Sequence, residues 1–105
     1  MAKAYLMVRV QLTDPALRER FDRWYRDEHL PDALAAFRAE AASRYWSPAE
    51  PPIHVALYQF ADLTAARHAT RPEIIGPLVA EFDRNFPTGT VRTRDLLELV
   101  QDLKP

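Results

Sequence analysis

The stretch KAYLMVRVQL, residues 3–12, alternates strictly along its length. Every second residue from Ala4 to Leu12 is apolar, whereas the positions between them are mixed and include Met7 and Arg9. A period of two with β-branched residues predicts a β-strand. One face of this strand is expected to lie against a core, and the other face is only partly apolar.

A helix is predicted directly after this strand. Asp14 suits the residue before the first helical turn and Pro15 suits its first position. Apolar residues then recur at helical spacing from Leu17 onward. Pro31 disfavours helical geometry at the residue before it, so the helix is expected to end or kink near His29, with a last turn that could continue to residue 37.

The rest of the chain predicts three strands and a second helical region. Strands are expected at 38–47, whose first part could equally be helical, and at 53–61, with a proline-rich hairpin loop between them. A short helix from Leu63 to about Ala69 and a second piece from Pro77 are expected, separated by breaks at Pro72 and Gly76-Pro77. The last strand is predicted at 90–101.

This order, β-α-β-β-α-β, predicts an α+β ferredoxin-like fold with a four-stranded antiparallel sheet in a single domain over residues 1–105. Helices would cover one face of the sheet. The second face is expected to carry Met7, Tyr58 and Phe60, a patch that soluble monomers rarely expose. Packing of two sheets in a two-fold homodimer, as a dimeric α/β barrel, is therefore expected.

Composition excludes several classes of function. The net charge of −1 gives no basic footprint for nucleic acid and no polybasic membrane patch. Cysteine is absent, and only two glycines occur, so thiolate metal sites and phosphate-binding glycine loops are not expected. The three histidines show no metal-ligand spacing, and no cofactor is predicted. The N-terminus has no signal-peptide or membrane-span pattern, which favours a cytoplasmic protein.

The most informative motif is Phe21-x3-Tyr25-x3-His29-x-Pro31. A spacing of four places the three aromatic rings along one side of the helix. A histidine there can titrate near physiological pH, which suits a general acid or base. The alternative is a helix-capping histidine that donates to a backbone carbonyl.

These residues resemble the EthD-like members of the dimeric α/β-barrel superfamily, which usually show Phe-x3-Trp-x3-His-x-Pro at this place. Here Tyr25 stands at the aromatic position and Trp24 precedes it. The resemblance implies a homodimer with clefts between sheet and helices that hold small molecules. Members of the superfamily include muconolactone isomerases, polyketide cyclases, cofactor-free monooxygenases, haem-degrading enzymes and ligand-sensing proteins.

The candidate catalytic residues are His29 and Tyr25. The candidate substrate-binding residues are Arg9, Trp24, Trp46, His54 and Tyr58. Arg9 was expected to reach the same space as His54 and Tyr58, or else to pair with Glu40 or Glu98 or reach solvent.

Two functions remain open on these grounds. One is proton transfer, by an isomerase, cyclase or cofactor-free oxygenase, on a small aromatic, lactone or polyketide-like molecule. The other is a non-catalytic ligand-binding or dimerising protein. An open cleft of several hundred cubic ångströms that contains His29 and Tyr25 would favour the enzyme.

Overall fold

The computed structural model describes residues 2–105. Four strands form one sheet in the order β2-β3-β1-β4, and every neighbouring pair is antiparallel. The strands are β1 (Ala4–Leu12), β2 (Ala41–Ser47), β3 (Ile53–Phe60) and β4 (Thr90–Glu98). Helices connect them in the predicted order. The predicted α+β, ferredoxin-like architecture with a four-stranded antiparallel sheet is therefore confirmed.

The register of β1 against β3 determines which side chains face the helices. Leu6 lies opposite Tyr58 and Val10 opposite His54, and all four side chains are buried. Residues directly opposite in an antiparallel pair share a face. Tyr58 therefore packs on the helix-covered side.

The prediction that Tyr58 and Phe60 lie on the second face was wrong. Phe60 lies opposite the buried Ala4, so it too belongs to the helix-covered side. β3 is apolar on both of its faces, so its own alternation does not indicate which face meets the helices. The open face instead carries Met7, which lies opposite Leu57.

The first helical segment runs without a break past the predicted end. A 3₁₀ turn at Pro15–Leu17 leads into α1 (Arg18–Trp24), a π turn at Tyr25–His29 and α2 (Leu30–Phe37). Asp14 accepts a hydrogen bond from the backbone N–H of Ala16 at 3.1 Å, as its predicted capping role requires. Continuation to residue 37, left open by the sequence, is the observed outcome.

The π turn explains how the helix passes Pro31. The Leu30 N–H donates to the carbonyl of Tyr25, five residues earlier. A proline inside a helix normally clashes with the carbonyl four residues before it, and the wider π turn relieves this contact. Single π turns of this kind are frequent at functional sites.

The second helical region consists of α3 (Leu63–Ala69) and α4 (Pro72–Asn85). Pro72 occupies the first turn of α4, where no backbone donor is needed. The predicted break at Gly76-Pro77 was wrong, because α4 continues through Pro77. Pro77 is exposed and close to the start of the helix, so it removes only one backbone hydrogen bond there.

Four strand limits differ from the prediction by one to three residues, and β1 begins at Ala4 rather than at residue 3. β2 begins at Ala41 because Arg38 ends α2 in the left-handed conformation, with φ of 51°. β3 ends at Phe60 and β4 at Glu98. Over residues 2–105, no helix is long and apolar enough to cross a membrane.

Candidate functional site

A pocket opens between the helix-covered face of the sheet and the helices. It holds about 390 Å³ of empty space, counted out to its solvent mouth. Its walls come from the sheet, the first helical segment and α4. The lining residues are Val8, Tyr58, Arg92 and Arg94 of the sheet, Tyr25, His29 and Phe37 of the first helical segment, and Ile75, Leu78, Val79 and Phe82 of α4. The volume enclosed by its walls is only about 30 Å³, room for about one water molecule, so the cleft of several hundred cubic ångströms that would favour an enzyme is not observed. The lining is mainly apolar with a few polar groups, which is typical of small-molecule sites.

His29 ends the π turn and lines this pocket. Its side chain is 9% exposed, and its ring stacks on Trp24 at a centroid distance of 4.6 Å. The Tyr25 ring contacts the His29 ring edge-on, at a centroid distance of 4.8 Å. Within residues 2–105, neither ring nitrogen has a protein hydrogen-bond partner, so the alternative of a helix-capping histidine is not what the structure shows.

Burial lowers the pKa of His29 to about 4, and the positive charge of Arg92 acts in the same direction. The nearby carboxylates of Asp32 and Glu81 oppose this change. The imidazole is therefore neutral at pH 7, with one nitrogen able to accept a proton and the other able to donate one. The prediction that this histidine titrates near physiological pH was therefore wrong. A neutral imidazole that faces a pocket can still accept a proton, although a pKa of about 4 makes it a weaker base than an ordinary histidine.

Two tyrosines converge on the same pocket. Burial raises the pKa of Tyr25 to about 12, although its contact with the Tyr58 hydroxyl lowers that pKa. Burial also raises the pKa of Tyr58, and Tyr25 adds to the increase. Both phenols are therefore protonated at pH 7.

His54 lies on the far side of Tyr25 in a different environment. It is 0% exposed, and its Nε2 lies 3.2 Å from Nη1 of Arg44. Arg44 in turn donates to Asp22 at 2.8 Å, and Trp46 Nε1 donates to the same carboxylate oxygen at 2.7 Å. These four side chains form a partly buried network, called the β2–β3 network, which consists of Trp46, Asp22, Arg44 and His54.

This network accounts for the ionisation of its members. The hydrogen bond from Trp46 lowers the pKa of Asp22, and Arg44 adds to that effect. Burial lowers the pKa of His54 to about 3, with a further contribution from the charge of Arg44. Because Arg44 donates to Nε2, Nδ1 must carry the proton, and this atom has no partner within residues 2–105.

The structure brings together only part of the predicted set. His29, Tyr25 and Tyr58 line the pocket. Trp24 is not among the lining residues, and its ring stacks on that of His29. His54 and Trp46 lie in the β2–β3 network instead.

Arg9 was expected to share a space with His54 and Tyr58, and this was wrong. It lies opposite Val55 and therefore on the open face of the sheet, whereas His54 lies opposite Val10 on the helix-covered face. The pleat of the strands separates the two sets.

Arg92 and Arg94 are pocket residues that the sequence reasoning missed. They are two apart on β4 and lie opposite Val10 and Val8, on the helix-covered face. The spacing of two arginines in a predicted strand was the available signal. Whether these two side chains reach the pocket depends on which face of β4 meets the helices. The sequence of that strand is polar on both faces and does not indicate which face this is.

No group of His, Asp and Glu side chains within residues 2–105 could hold a metal ion. The donors present in the pocket are phenols, an imidazole and guanidinium groups.

Solved structures with the same fold were found, whereas no family model and no curated protein matches the chain. A dimeric ferredoxin-like protein from an uncultured marine organism is 14% identical, with a TM-score of 0.65 over 98% of this chain and 100% of that one. An ethyl tert-butyl ether D (EthD) family protein from Bacillus halodurans is 13% identical, with a TM-score of 0.63 over 90% and 97% of the two chains. SnoaB from Streptomyces nogalater, a cofactor-independent oxygenase, is 16% identical, with a TM-score of 0.59 over 100% of both chains. The predicted resemblance is confirmed at the level of the fold.

Proposed function

We propose that this chain, which shares its fold with an EthD family protein and a cofactor-independent oxygenase, is a proton-transfer enzyme for a small, flat, oxygen-bearing organic molecule. One observation carries the proposal. His29 is buried in an open pocket, has a neutral ring at pH 7, and has no hydrogen-bond partner within residues 2–105. Because the ring lines a pocket that opens to solvent, a ligand in that pocket can reach its nitrogens.

The roles of the residues follow from the pocket. His29 removes a proton from an acidic C–H or O–H group of the ligand and returns it at a later step. The Tyr25 O–H, which is protonated because burial raises its pKa to about 12, donates to the ligand oxygen on which negative charge develops. Tyr58 orients that hydroxyl. Isomerisation, cyclisation and cofactor-free oxygenation all begin with such a proton removal.

We further propose that the enzyme is a homodimer formed through the open face of the sheet. Tyr45 and Val91 on this face are 50% and 51% exposed, and Leu97 is 41% exposed. They lie in the same layer as the partly buried Met7 and Leu57. A second copy would shelter this apolar surface. Sedimentation should give particles of twice 12.1 kDa, and a lone 12.1 kDa species would contradict the dimer. A cytoplasmic location stays a prediction.

Proton exchange tests the catalytic role without knowledge of the natural substrate. Benzofuran-2(3H)-one, a flat aromatic lactone with an acidic C–H, is incubated with the protein in D₂O and followed by NMR. We expect exchange above the buffer rate, with a loss when the pH falls below the His29 pKa of about 4. Binding of the lactone in the pocket with exchange at the buffer rate would favour the alternative, a non-catalytic ligand-binding protein.

A further inference from the structure

The pocket is asymmetric in charge. Arg92 and Arg94 are the charged residues among those that line it, and no carboxylate lines it. Both lie on β4, at one flank of the pocket, whereas Tyr58 lies on β3 at the other flank. Val8 of β1 forms the floor between them, opposite Arg94 on one side and Ala56 on the other.

The two arginines differ in how they are neutralised. Arg92 forms an ion pair with Asp83 at 3.1 Å, and its guanidinium lies 4.6 Å from the centre of the Phe82 ring. This contact fixes Arg92 against the wall of the pocket. Arg94 forms no ion pair with the residues that the structure describes. Arg94 is exposed, so its guanidinium is hydrated at the mouth of the pocket and free to pair with an anion there, and its planar donors match a carboxylate.

We propose that Arg92 and Arg94 bind the carboxylate of an anionic ligand whose flat apolar body lies over Val8. The opposite end of the ligand then carries the oxygen that meets Tyr25. This inference rests on the proposed function, because it assigns a substrate class to the same pocket. Neighbouring strands lie about 4.8 Å apart, so the flanks formed by β4 and β3 are separated by roughly 10 Å. An aromatic acid with two fused rings spans that distance, and because the enclosed volume of the pocket is only about 30 Å³, its rings would lie across the solvent mouth of the pocket.

A matched pair of probes tests the charge directly. 2-Naphthoate and its neutral isostere 2-naphthamide are titrated into the full chain, with the combined fluorescence of Trp24 and Trp46 and the His29 ring signals in NMR as readouts. We expect the acid to bind about tenfold more tightly than the amide, as a charge-assisted hydrogen bond implies. Arg94→Gln should abolish that preference and leave amide binding unchanged. Arg67→Gln, at an exposed arginine outside the pocket lining, is the control and should keep the preference.

The outcomes separate this inference from the proposed function. Equal binding of acid and amide, with both perturbing His29, would overturn the anion site and leave the proton-transfer pocket standing. Equal weakening of the acid by Arg94→Gln and Arg67→Gln would show a general charge effect and would also overturn the anion site. If neither probe binds or perturbs His29 at millimolar concentration, both the anion site and the pocket assignment are wrong. In a competition experiment, inorganic phosphate and benzoate are each used to displace 2-naphthoate. If phosphate is as effective as benzoate, the site is an unselective anion site and the carboxylate assignment is overturned.

Discussion

His29 and His54 are both buried beside Tyr25, at ring distances of 4.8 Å and 4.4 Å, yet their surroundings differ. His54 accepts from Arg44 and is sealed among aromatic rings in the β2–β3 network. His29 has no partner within residues 2–105 and faces a pocket. Burial lowers both pKa values, so low basicity alone does not distinguish a structural histidine from a functional one. What distinguishes them is whether the nitrogens can reach a ligand.

The largest effect should separate the two histidines by activity. We expect His29→Ala to slow lactone proton exchange about 100- to 10,000-fold, since it removes the proposed general base. His54→Gln, measured on the folded fraction, should change the rate much less. The NMR exchange assay measures both variants. Similar losses in the two would show that the comparison between the histidines is mistaken.

Stability should show the reverse order. His54→Ala leaves a cavity in the core and leaves Nη1 of Arg44 without its acceptor, so we expect the free energy of unfolding to fall by about 2 to 4 kcal/mol. His29→Ala enlarges a pocket that already exists and breaks no protein hydrogen bond, so its effect should be clearly smaller. Urea denaturation followed by circular dichroism measures both. A larger loss for His29→Ala would contradict the structural role of His54.

Acid should weaken the fold through both rings. The folded pKa values, about 4 and about 3, lie below the ordinary value of 6.5, so the unfolded chain binds protons first as the pH falls. Their contribution to stability is complete above pH 6.5 and is lost on acidification towards pH 4 and below. Each ring should contribute a slope of about 1.4 kcal/mol per pH unit in that window. Urea titrations at several pH values measure the slope of the unfolding free energy against pH. Replacing either histidine by glutamine should reduce that slope by the contribution of one proton, about 1.4 kcal/mol per pH unit.

Asp22 should matter more than an equally charged residue on the same helical segment. Asp22→Asn removes the charge that pairs with Arg44, whose side chain is 19% exposed, and we expect a loss of about 1 kcal/mol because Asp22 is partly screened by solvent. Asp27→Asn breaks only an exposed pair with Arg26 and is the matched control. Its urea midpoint should match that of the unmodified chain, and an equal shift in both variants would remove the special role of the network.

The smallest effect is expected at Arg9. Arg9→Gln changes the open face of the sheet, across the strand from the pocket, so lactone exchange per folded chain should be unchanged. A loss similar to that of His29→Ala would show that the open face contributes to the site.

Much of the fold was predictable because local sequence patterns indicate most of its strands and helices. The alternation of β1, the cap at Asp14 and the order of the elements predicted the sheet and its topology. The passage of the helix through Pro31 was left open, since propensity alone does not reveal a π turn. The continuation of α4 through Pro77 was missed, because sequence patterns treat proline as a break wherever it occurs.

By itself the sequence determined the spacing that places Tyr25 and His29 on one side of a helix. Which strand residues meet them depended on register and on the face of the sheet that the helices cover, and only the tertiary structure decided both. A shift of one residue reverses the face of every side chain on a strand. For that physical reason Tyr58, Arg92 and Arg94 came to the pocket and Arg9 did not.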